Sequence, residues 1–232
     1  MKLGIIQPHY LPYSGYFSLI KNVDTFIFHD DIDYISNEWK NRNKIKICKE
    51  KTDTRWISVP VQFKNKNLKN ENRFINKIKI SNDHKWELYH LNCIRNAYRH
   101  CPYYFEIISI LQDTLEKKST LLVDLNINLI KKILEYLQIK TDILIASDFK
   151  LSSFKKTEKI IKLCQLTNTS HYIANNKSSN YLDENMFKRN KIELQYQNYE
   201  HPIYEQDNHD FISHLSIIDM LMYHGKNSVK LL

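Results

Sequence analysis

The first thirty residues carry the pattern that most restricts the fold. Lys2–Ile6 is a short apolar run typical of a buried strand, and the loop that follows it contains two prolines. After Ser14, a typical N-cap residue, apolar side chains recur with helical spacing. Thr25–Phe28 is again apolar and rich in β-formers. Strand, helix and strand within this length predict a βαβ unit with parallel strands.

Strand and helix patterns alternate along the rest of the chain. Residues 44–48 and 55–61 alternate with period two around a polar turn and predict a hairpin, and residues 74–80 predict another short strand. Helical spacing covers residues 84–97, 103–117, 121–137, 157–166 and 216–223, the last with Gly225 as cap, and strands are predicted at 143–146, 170–174 and 192–196. We therefore predict an α/β fold with a Rossmann-like opening βαβ unit, a mostly parallel sheet, a hairpin and a helix-rich middle insertion.

One domain is predicted over residues 1–232. The chain has three glycines and five prolines, and no stretch rich in Pro, Gly or Ser divides it. Residues 82–140 are predicted to form a helical subdomain or a lid. Every apolar run is much shorter than the about 20 residues of a membrane span, and the start of the chain lacks a signal-peptide pattern. We expect a soluble, cytoplasmic protein.

Charge and motifs exclude several kinds of site. The net charge of +8 is compatible with nucleic-acid binding, but the basic residues are scattered rather than gathered in an arm. The four cysteines include no C-x-x-C pair and the ten histidines no H-E-x-x-H, so no metal site is predicted. Without a P-loop or G-x-G-x-x-G, a phosphate must bind to a helix N-terminus or to basic side chains.

Polar side chains follow the first two predicted strands. Ligands of open α/β sheets bind at the carboxyl ends of the strands. Gln7, His9 and Tyr10 follow the first strand, and Asp30 and Asp31 follow the second. His9 or Asp31 is the candidate catalytic base, and Gln7, Tyr10 and Asp30 are candidate substrate ligands. An exposed, proline-stiffened turn is the alternative interpretation of the first group.

Two more polar stretches are candidates for substrate binding. Asn41, Arg42 and Asn43 offer amide and guanidinium donors that suit phosphate or sugar hydroxyls. Asn175 directly follows the predicted strand 170–174. For Asn41, Arg42 and Asn43 a solvated, hydrogen-bonded turn is an equally acceptable interpretation, and for Asn175 a purely structural role is.

A last cluster lies on an irregular aromatic segment near residue 200. His201 is a candidate catalytic residue, and Tyr204 and Gln206 are candidate ligands. A purely structural role is the alternative for all three.

Together these clusters resemble the WbqC-like family of bacterial proteins. The matching stretches are G-I-I-Q-P-H-Y-L-P-Y-S-G-Y-F at 4–17, D-D-I-D-Y at 30–34, W-K-N-R-N at 39–43, V-P-V at 59–61, Y-L-D at 181–183 and L-S-I-I-D at 215–219, with Tyr199, His201, Pro202, Tyr204, Gln206 and Gly225. The resemblance extends from about residue 2 to the C-terminus. It implies the transfer of an acyl or aminoacyl group, such as glycine, to a nucleotide-linked amino sugar in O-antigen (lipopolysaccharide) or other surface-polysaccharide biosynthesis.

Three hypotheses follow. In the leading one, an N-acyl- or aminoacyltransferase, His9 or Asp31 deprotonates the sugar amine, and His201 binds or polarises the acyl carbonyl. The predicted partner is a nucleotide-linked amino sugar, and the donor is an ATP-activated carboxylate, an acyl thioester or an aminoacyl-tRNA. The alternatives are a non-catalytic RNA- or tRNA-binding protein and a scaffold of a glycan-assembly complex.

Overall fold

A parallel sheet of five strands lies at the centre of the computed structural model, which describes residues 1–48, 53–63, 73–81, 85–207 and 210–232, and only the backbone at 177 and 180. The strands of these described residues are β1 Lys2–Ile6, β2 Thr25–Phe28, β3 Arg42–Lys46, β4 Thr54–Ser58, β5 Asp142–Ile145, β6 His171–Ala174 and β7 Glu193–Tyr196. The sheet has the order β5-β2-β1-β6-β7 with every pairing parallel, and β3 and β4 form a separate antiparallel hairpin. The predicted α/β class, βαβ opening and hairpin are confirmed.

Both faces of the sheet are covered by helices. The α-helices of the described residues are α1 Ser14–Lys21, α2 Trp86–Tyr98, α3 Tyr104–Leu115, α4 Leu122–Tyr136, α5 Lys156–Leu166, α6 Glu184–Arg189 and α7 Ile217–His224. Because side chains alternate along a strand, Phe26 and Phe28 enter one apolar core and Ile27 enters the other. The first core also holds α1, the hairpin, α2–α4 and α7, and the second holds α5 and α6. This burial explains why β1 and β2, inside the sheet, consist of nearly continuous apolar residues.

The helix-rich middle is confirmed in α2, α3 and α4, whose apolar faces join the same core as α1 and the hairpin. Residues 82–84, where the first of these helices was predicted to begin, lie outside the described residues, as does the hairpin turn at 49–52. The single domain and its helical subdomain or lid stay predictions. Among the helices of the described ranges, none combines the length and apolarity that crossing a bilayer requires.

The strand prediction at 74–80 is wrong. The chain there forms a 3-10 turn at Ile75–Lys77, flanked by single bridges instead of a ladder. Its backbone is held by the loop after β2, because the amide of Ile75 donates to the carbonyl of Ile32 and that of Asn76 to Asp30. Two helix details also differ: α1 begins at Ser14 with Tyr13 as its N-cap, and α6 has no counterpart among the predicted helices.

Candidate functional site

A cleft of about 280 Å³ opens at the carboxyl ends of β1, β6 and β7. The strand order reverses between β1 and β6, which is where open α/β sheets bind their ligands. His9 follows β1, Asn175 follows β6 and Gln197 follows β7. We call this site the histidine–amide cleft, and its lining residues are His9, Pro12, Tyr13, Trp39, Asn43, Asn175, Asn176, Gln197, Tyr199 and His214.

Buried amides hold the loop that carries His9. Asn43 is 1% exposed, and its Nδ2 donates to the carbonyls of Leu11 at 2.6 Å and Tyr10 at 3.3 Å. Asn126 is fully buried, and its Nδ2 donates to the carbonyl of Pro8 at 2.9 Å. These bonds satisfy backbone carbonyls that the loop buries without a strand partner. The loop is therefore fixed before any ligand arrives.

His9 is half-buried on this loop. Its ring packs against Tyr16 with the centroids 5.4 Å apart. Tyr16 is itself buried, and its hydroxyl donates to the carbonyl of Gln7 at 2.9 Å. The imidazole of His9 thus has a defined position in the cleft at the switch point of the sheet.

Gly15 permits the aromatic wall of the cleft. A Cβ at this position would lie 2.4 Å from the ring of Tyr13 and 2.7 Å from that of Tyr199. The two rings meet edge to face at 6.0 Å, and Tyr13 also stacks on His214 at 6.1 Å. The hydroxyl of Tyr199 donates to Ser14 Oγ at 2.6 Å. The start of α1 must lack a side chain here because two rings occupy the space.

His201 lies behind this wall. Its Nδ1 is 3.0 Å from the carbonyl of Pro202, which can only accept, so the proton is on Nδ1. Its Nε2 then accepts from Ser14 Oγ at 3.3 Å. Burial lowers the pKa of His201, and the adjacent His214 lowers it further, so the ring is neutral near pH 7. The result is an ordered chain of donors from Tyr199 through Ser14 to His201.

Tyr204 and Gln206 belong to a buried cluster around Asp219. The hydroxyl of Tyr204 and the Nε2 of Gln206 donate to Asp219 Oδ1 at 2.8 and 2.6 Å, and the hydroxyl of Tyr98 donates to Oδ2 at 3.0 Å. Burial raises the pKa of Asp219 to about 6, against the opposing effect of these hydrogen bonds. The cluster anchors residues 204–206 on α7 and does not line the cleft.

The two acidic candidates follow β2, and Asp31 lines a second cleft of about 610 Å³ there, whereas Asp30 is buried beside it. Asp30 is 3% exposed and accepts from the amide and hydroxyl of Ser147 at 2.9 and 2.7 Å, and from Asn76 at 3.1 Å. Asp31 pairs with Lys159 at 2.6 Å. We call this second site the lysine cleft, and its lining residues are His29, Asp31, Ile32, Asp33, Phe74, Ser152, Phe154, Lys155, Lys156 and Lys159.

A cationic aromatic platform extends from the rim of the histidine–amide cleft. Trp39 lines the cleft and is 36% exposed, and its ring lies 5.2 Å from that of Trp56. The guanidinium of Arg42 stacks over Trp56 at 4.2 Å, and Lys44 Nζ lies 5.1 Å from the same ring. The side chain of Asn41 instead stabilises the backbone, because its Nδ2 donates to the carbonyl of Val59 at 3.0 Å.

With this geometry in place, the comparisons with known proteins identify the family. The model of the WbqC-like protein family matches residues 7–231. The chain belongs to the WbqC-like protein family. It is also 33% identical over 228 residues to the Uncharacterized protein Rv1507c of Mycobacterium tuberculosis (strain ATCC 25618 / H37Rv), covering 97% of this chain and 94% of that relative. No solved structure matches the chain.

Three of the predicted site residues of this WbqC-like protein meet in the histidine–amide cleft: His9, Asn43 and Asn175. Arg42 stands on the platform at its rim, and His201 lies behind its wall. Gln7 is half-buried at the start of the loop, while Tyr10 is fully buried with its hydroxyl 2.8 Å from His90 Nδ1. The roles assigned to these residues stay predictions.

Sequence reasoning did not select several lining residues. Gln197 directly follows β7, so the rule that selected Asn175 would also have selected it. Tyr13, Trp39 and Tyr199 belong to the motifs that carry the family resemblance. His214 has no local signal, because the bridge between Tyr13 and Ser216 brings its loop to the cleft.

The lining determines what the cleft of this WbqC-like protein can bind. Among its described lining residues there is no Lys, Arg, Asp or Glu. Rings and carboxamides suit a polyhydroxylated ligand, because the amides bond to hydroxyls and the rings pack on apolar faces. The imidazole of His9 adds a group that can move a proton. Within the described ranges, no group of three or more His, Cys, Asp or Glu side chains is arranged to hold a metal ion.

Proposed function

We propose that this protein transfers an acyl or aminoacyl group, such as glycyl, to the amino group of a nucleotide-linked amino sugar. The observation that carries the proposal is the position of His9, at the switch point of the sheet and beside the amides of Asn175 and Gln197. The setting in O-antigen or other surface-polysaccharide biosynthesis is what the family resemblance implies.

His9 is the proposed general base. A sugar ammonium must lose a proton before its nitrogen can attack the acyl carbonyl, and a positioned base typically contributes about 10²–10⁴-fold to such a step. Asp31, the other candidate, is held by Lys159 in the lysine cleft. The geometry therefore favours His9 over Asp31.

The wall of the cleft supports recognition of the amine. The donor chain from Tyr199 through Ser14 to His201 commits the phenolic proton, so the Tyr199 oxygen is left with lone pairs. Burial raises the pKa of Tyr199 to about 12, which keeps the phenol neutral. We assign Tyr199 as an acceptor for the sugar amine and His201 as a positioning residue that acts through Ser14.

The platform supports recognition of the nucleotide. A base can stack on Trp39, and Arg42 and Lys44 lie over the adjacent ring of Trp56 on the hairpin. Asn43 is committed to the loop carbonyls and acts through the shape of the loop. The acyl donor is an ATP-activated carboxylate, an acyl thioester or an aminoacyl-tRNA.

A mass-spectrometric assay tests the proposal. Purified protein is offered dTDP-linked 3- and 4-amino-6-deoxy sugars together with glycine, ATP, acyl-CoA and charged tRNA. We expect a product heavier by one acyl or aminoacyl unit, and omission of single donors then identifies the activated species. If every combination leaves the sugar nucleotides unchanged, the transferase proposal fails.

The exposed platform also favours a second candidate, binding of RNA by stacking of its bases on Trp39 and Trp56. Such binding weakens steeply with salt, since each phosphate contact releases a counterion. Filter binding of tRNA at several salt concentrations tests this candidate. Salt-sensitive retention of tRNA without any acylated product in the mass-spectrometric assay supports RNA binding, whereas retention together with a product that requires charged tRNA supports the transferase with tRNA as its donor.

A further inference from the structure

The lysine cleft is a second cavity on the same edge of the sheet, outside the proposed transferase site. It lies between the loop that follows β2 and the start of α5. The loop supplies His29 and Asp31, and the start of α5 supplies Lys155, Lys156 and Lys159. Its volume of about 610 Å³ is sufficient for a small organic ligand.

The charges of this cleft do not cancel. Lys159 is 5% exposed and pairs with Asp31 at 2.6 Å, and Asp33 pairs with Arg73 at 3.7 Å. Lys155 and Lys156 are exposed and form no ion pair with the described residues. They stand at the N-cap and first residue of α5, where the helix dipole adds to their positive potential. The mouth of the cleft therefore attracts an anion.

Its deeper part contains two buried polar atoms without a hydrogen-bond partner among the described residues. These are His29 Nε2 and Asp31 Oδ1, which lie 3.7 Å apart, too far for a hydrogen bond. Burial, reinforced by the charge of Lys159, lowers the pKa of His29 to about 4, so the ring is neutral near pH 7. A hydroxyl group can accept from an imidazole N–H and donate to a carboxylate at the same time. Unsatisfied buried polar atoms are costly, and a hydroxyl between them would remove that cost.

We propose that the lysine cleft binds a small phosphate ester that carries hydroxyl groups, with the phosphate on Lys155 and Lys156 and a hydroxyl between His29 and Asp31. Cations at the mouth and a donor–acceptor pair below them are complementary to the two ends of such a molecule. This inference goes beyond the proposed transferase function and does not depend on it.

Calorimetric titration of the full chain with ribose 5-phosphate, inorganic phosphate and ribose tests the site. We expect the ester to bind more tightly than inorganic phosphate, and ribose alone to give no heat. The double variant Lys155→Gln/Lys156→Gln should weaken both phosphate ligands about tenfold or more, because charge-assisted bonds are lost. His29→Phe keeps the ring and removes its nitrogens, so it should weaken only the ester.

The matched control is Lys131→Gln/Lys140→Gln, which removes the same charge from two exposed positions outside the cleft. It should leave every affinity unchanged, and thermal unfolding verifies that all variants are folded. Three results overturn the proposal: no binding of the ester, equal losses in both double variants, or equal affinity for the ester and inorganic phosphate.

Discussion

The two clefts open at the same edge of one parallel sheet, but among the residues that the structure describes the lining of one is uncharged and the lining of the other is charged. The histidine–amide cleft lies at the carboxyl ends of β1 and β6, where the strand order reverses, and is lined by rings, carboxamides and imidazoles. The lysine cleft lies beyond β2 and is lined by ammonium and carboxylate groups. A ligand that is mainly hydroxyls and rings is matched by the first, and a charged ligand by the second.

The difference begins with how each loop is anchored. The loop after β1 is held by the neutral amides of Asn43 and Asn126. The loop after β2 is held by the carboxylate of Asp30 on Ser147, and the next carboxylate, Asp31, holds a buried lysine. With neutral anchors, the described lining residues of the first cleft include no fixed charge, and proton transfer by His9 is the role proposed for this cleft. The second loop has charged anchors, so charged side chains lie both deep in the second cleft and at its mouth.

The largest expected difference between the two clefts comes from replacing His9, which should affect turnover but not the lysine cleft. His9→Ala is expected to lower turnover about 10²–10⁴-fold, because the amine loses its base, while phosphate binding in the lysine cleft is unchanged. His171→Ala is the control, since His171 is also half-buried but begins β6 at the opposite edge of the sheet. Steady-state kinetics measures both variants. Unchanged turnover in His9→Ala would remove His9 from the mechanism.

Acid should affect the lysine cleft through His29. Its pKa is about 4 in the folded state and 6.5 in an unfolded chain, so the unfolded state binds more protons between these values. The free energy of unfolding should therefore fall as the pH falls from 6.5 to 4, by up to about 3 kcal/mol from this residue. Chemical denaturation across this window measures the slope.

The variant His29→Phe should reduce that slope without abolishing it. His90 is also buried with its pKa lowered to about 4, so it contributes the same dependence in both proteins. Asp219, with its pKa raised to about 6, contributes the opposite slope in both. A wild-type slope retained in full by His29→Phe would mean that the ring is not buried as a neutral group.

Gly15→Ala should disturb the histidine–amide cleft alone. The new Cβ would lie 2.4 Å from Tyr13 and 2.7 Å from Tyr199, so both rings must move. Overpacking of this kind costs about 1–3 kcal/mol, which urea denaturation can measure. The acceptor KM should rise, and ribose 5-phosphate should bind to the lysine cleft as in the wild type. Loss of phosphate binding in this variant would show that the two clefts are coupled.

From the sequence it could be predicted that the candidate residues lie at the carboxyl ends of the strands, but not that they are divided between two clefts. The carboxyl-end rule placed His9 and Asn175 together because each directly follows an apolar strand. The same rule assigned Asp30 and Asp31 to that site, but β2 lies on the far side of β1 and its loop contacts α5 instead. Which helix meets a loop is decided by tertiary packing, and no local pattern records it.

The roles of Tyr204 and Gln206 are also determined by contacts with residues distant in the sequence. Tyr204 and Gln206 are polar residues on an irregular segment, which resembles a binding loop in sequence. Asp219 on α7 takes the hydrogen bonds of both, and its burial could not be read from the amphipathic pattern of that helix. His214 enters the cleft for the same reason, through a loop that only the folded chain brings to Tyr13.

The smallest expected effect concerns the platform at the rim. Arg42→Lys retains the charge but loses the planar stacking on Trp56, so affinity for a nucleoside diphosphate should fall only severalfold, corresponding to about 0.5–1 kcal/mol. Quenching of the exposed Trp39 and Trp56 measures that affinity, and Arg55→Lys on the neighbouring strand is the control. A loss confined to the nucleoside diphosphate, with ribose 5-phosphate unaffected, would separate the nucleotide contacts of the first cleft from the phosphate contacts of the second. If Arg42→Lys instead weakened ribose 5-phosphate and left the nucleotide unaffected, the two clefts would have been assigned the wrong ligands.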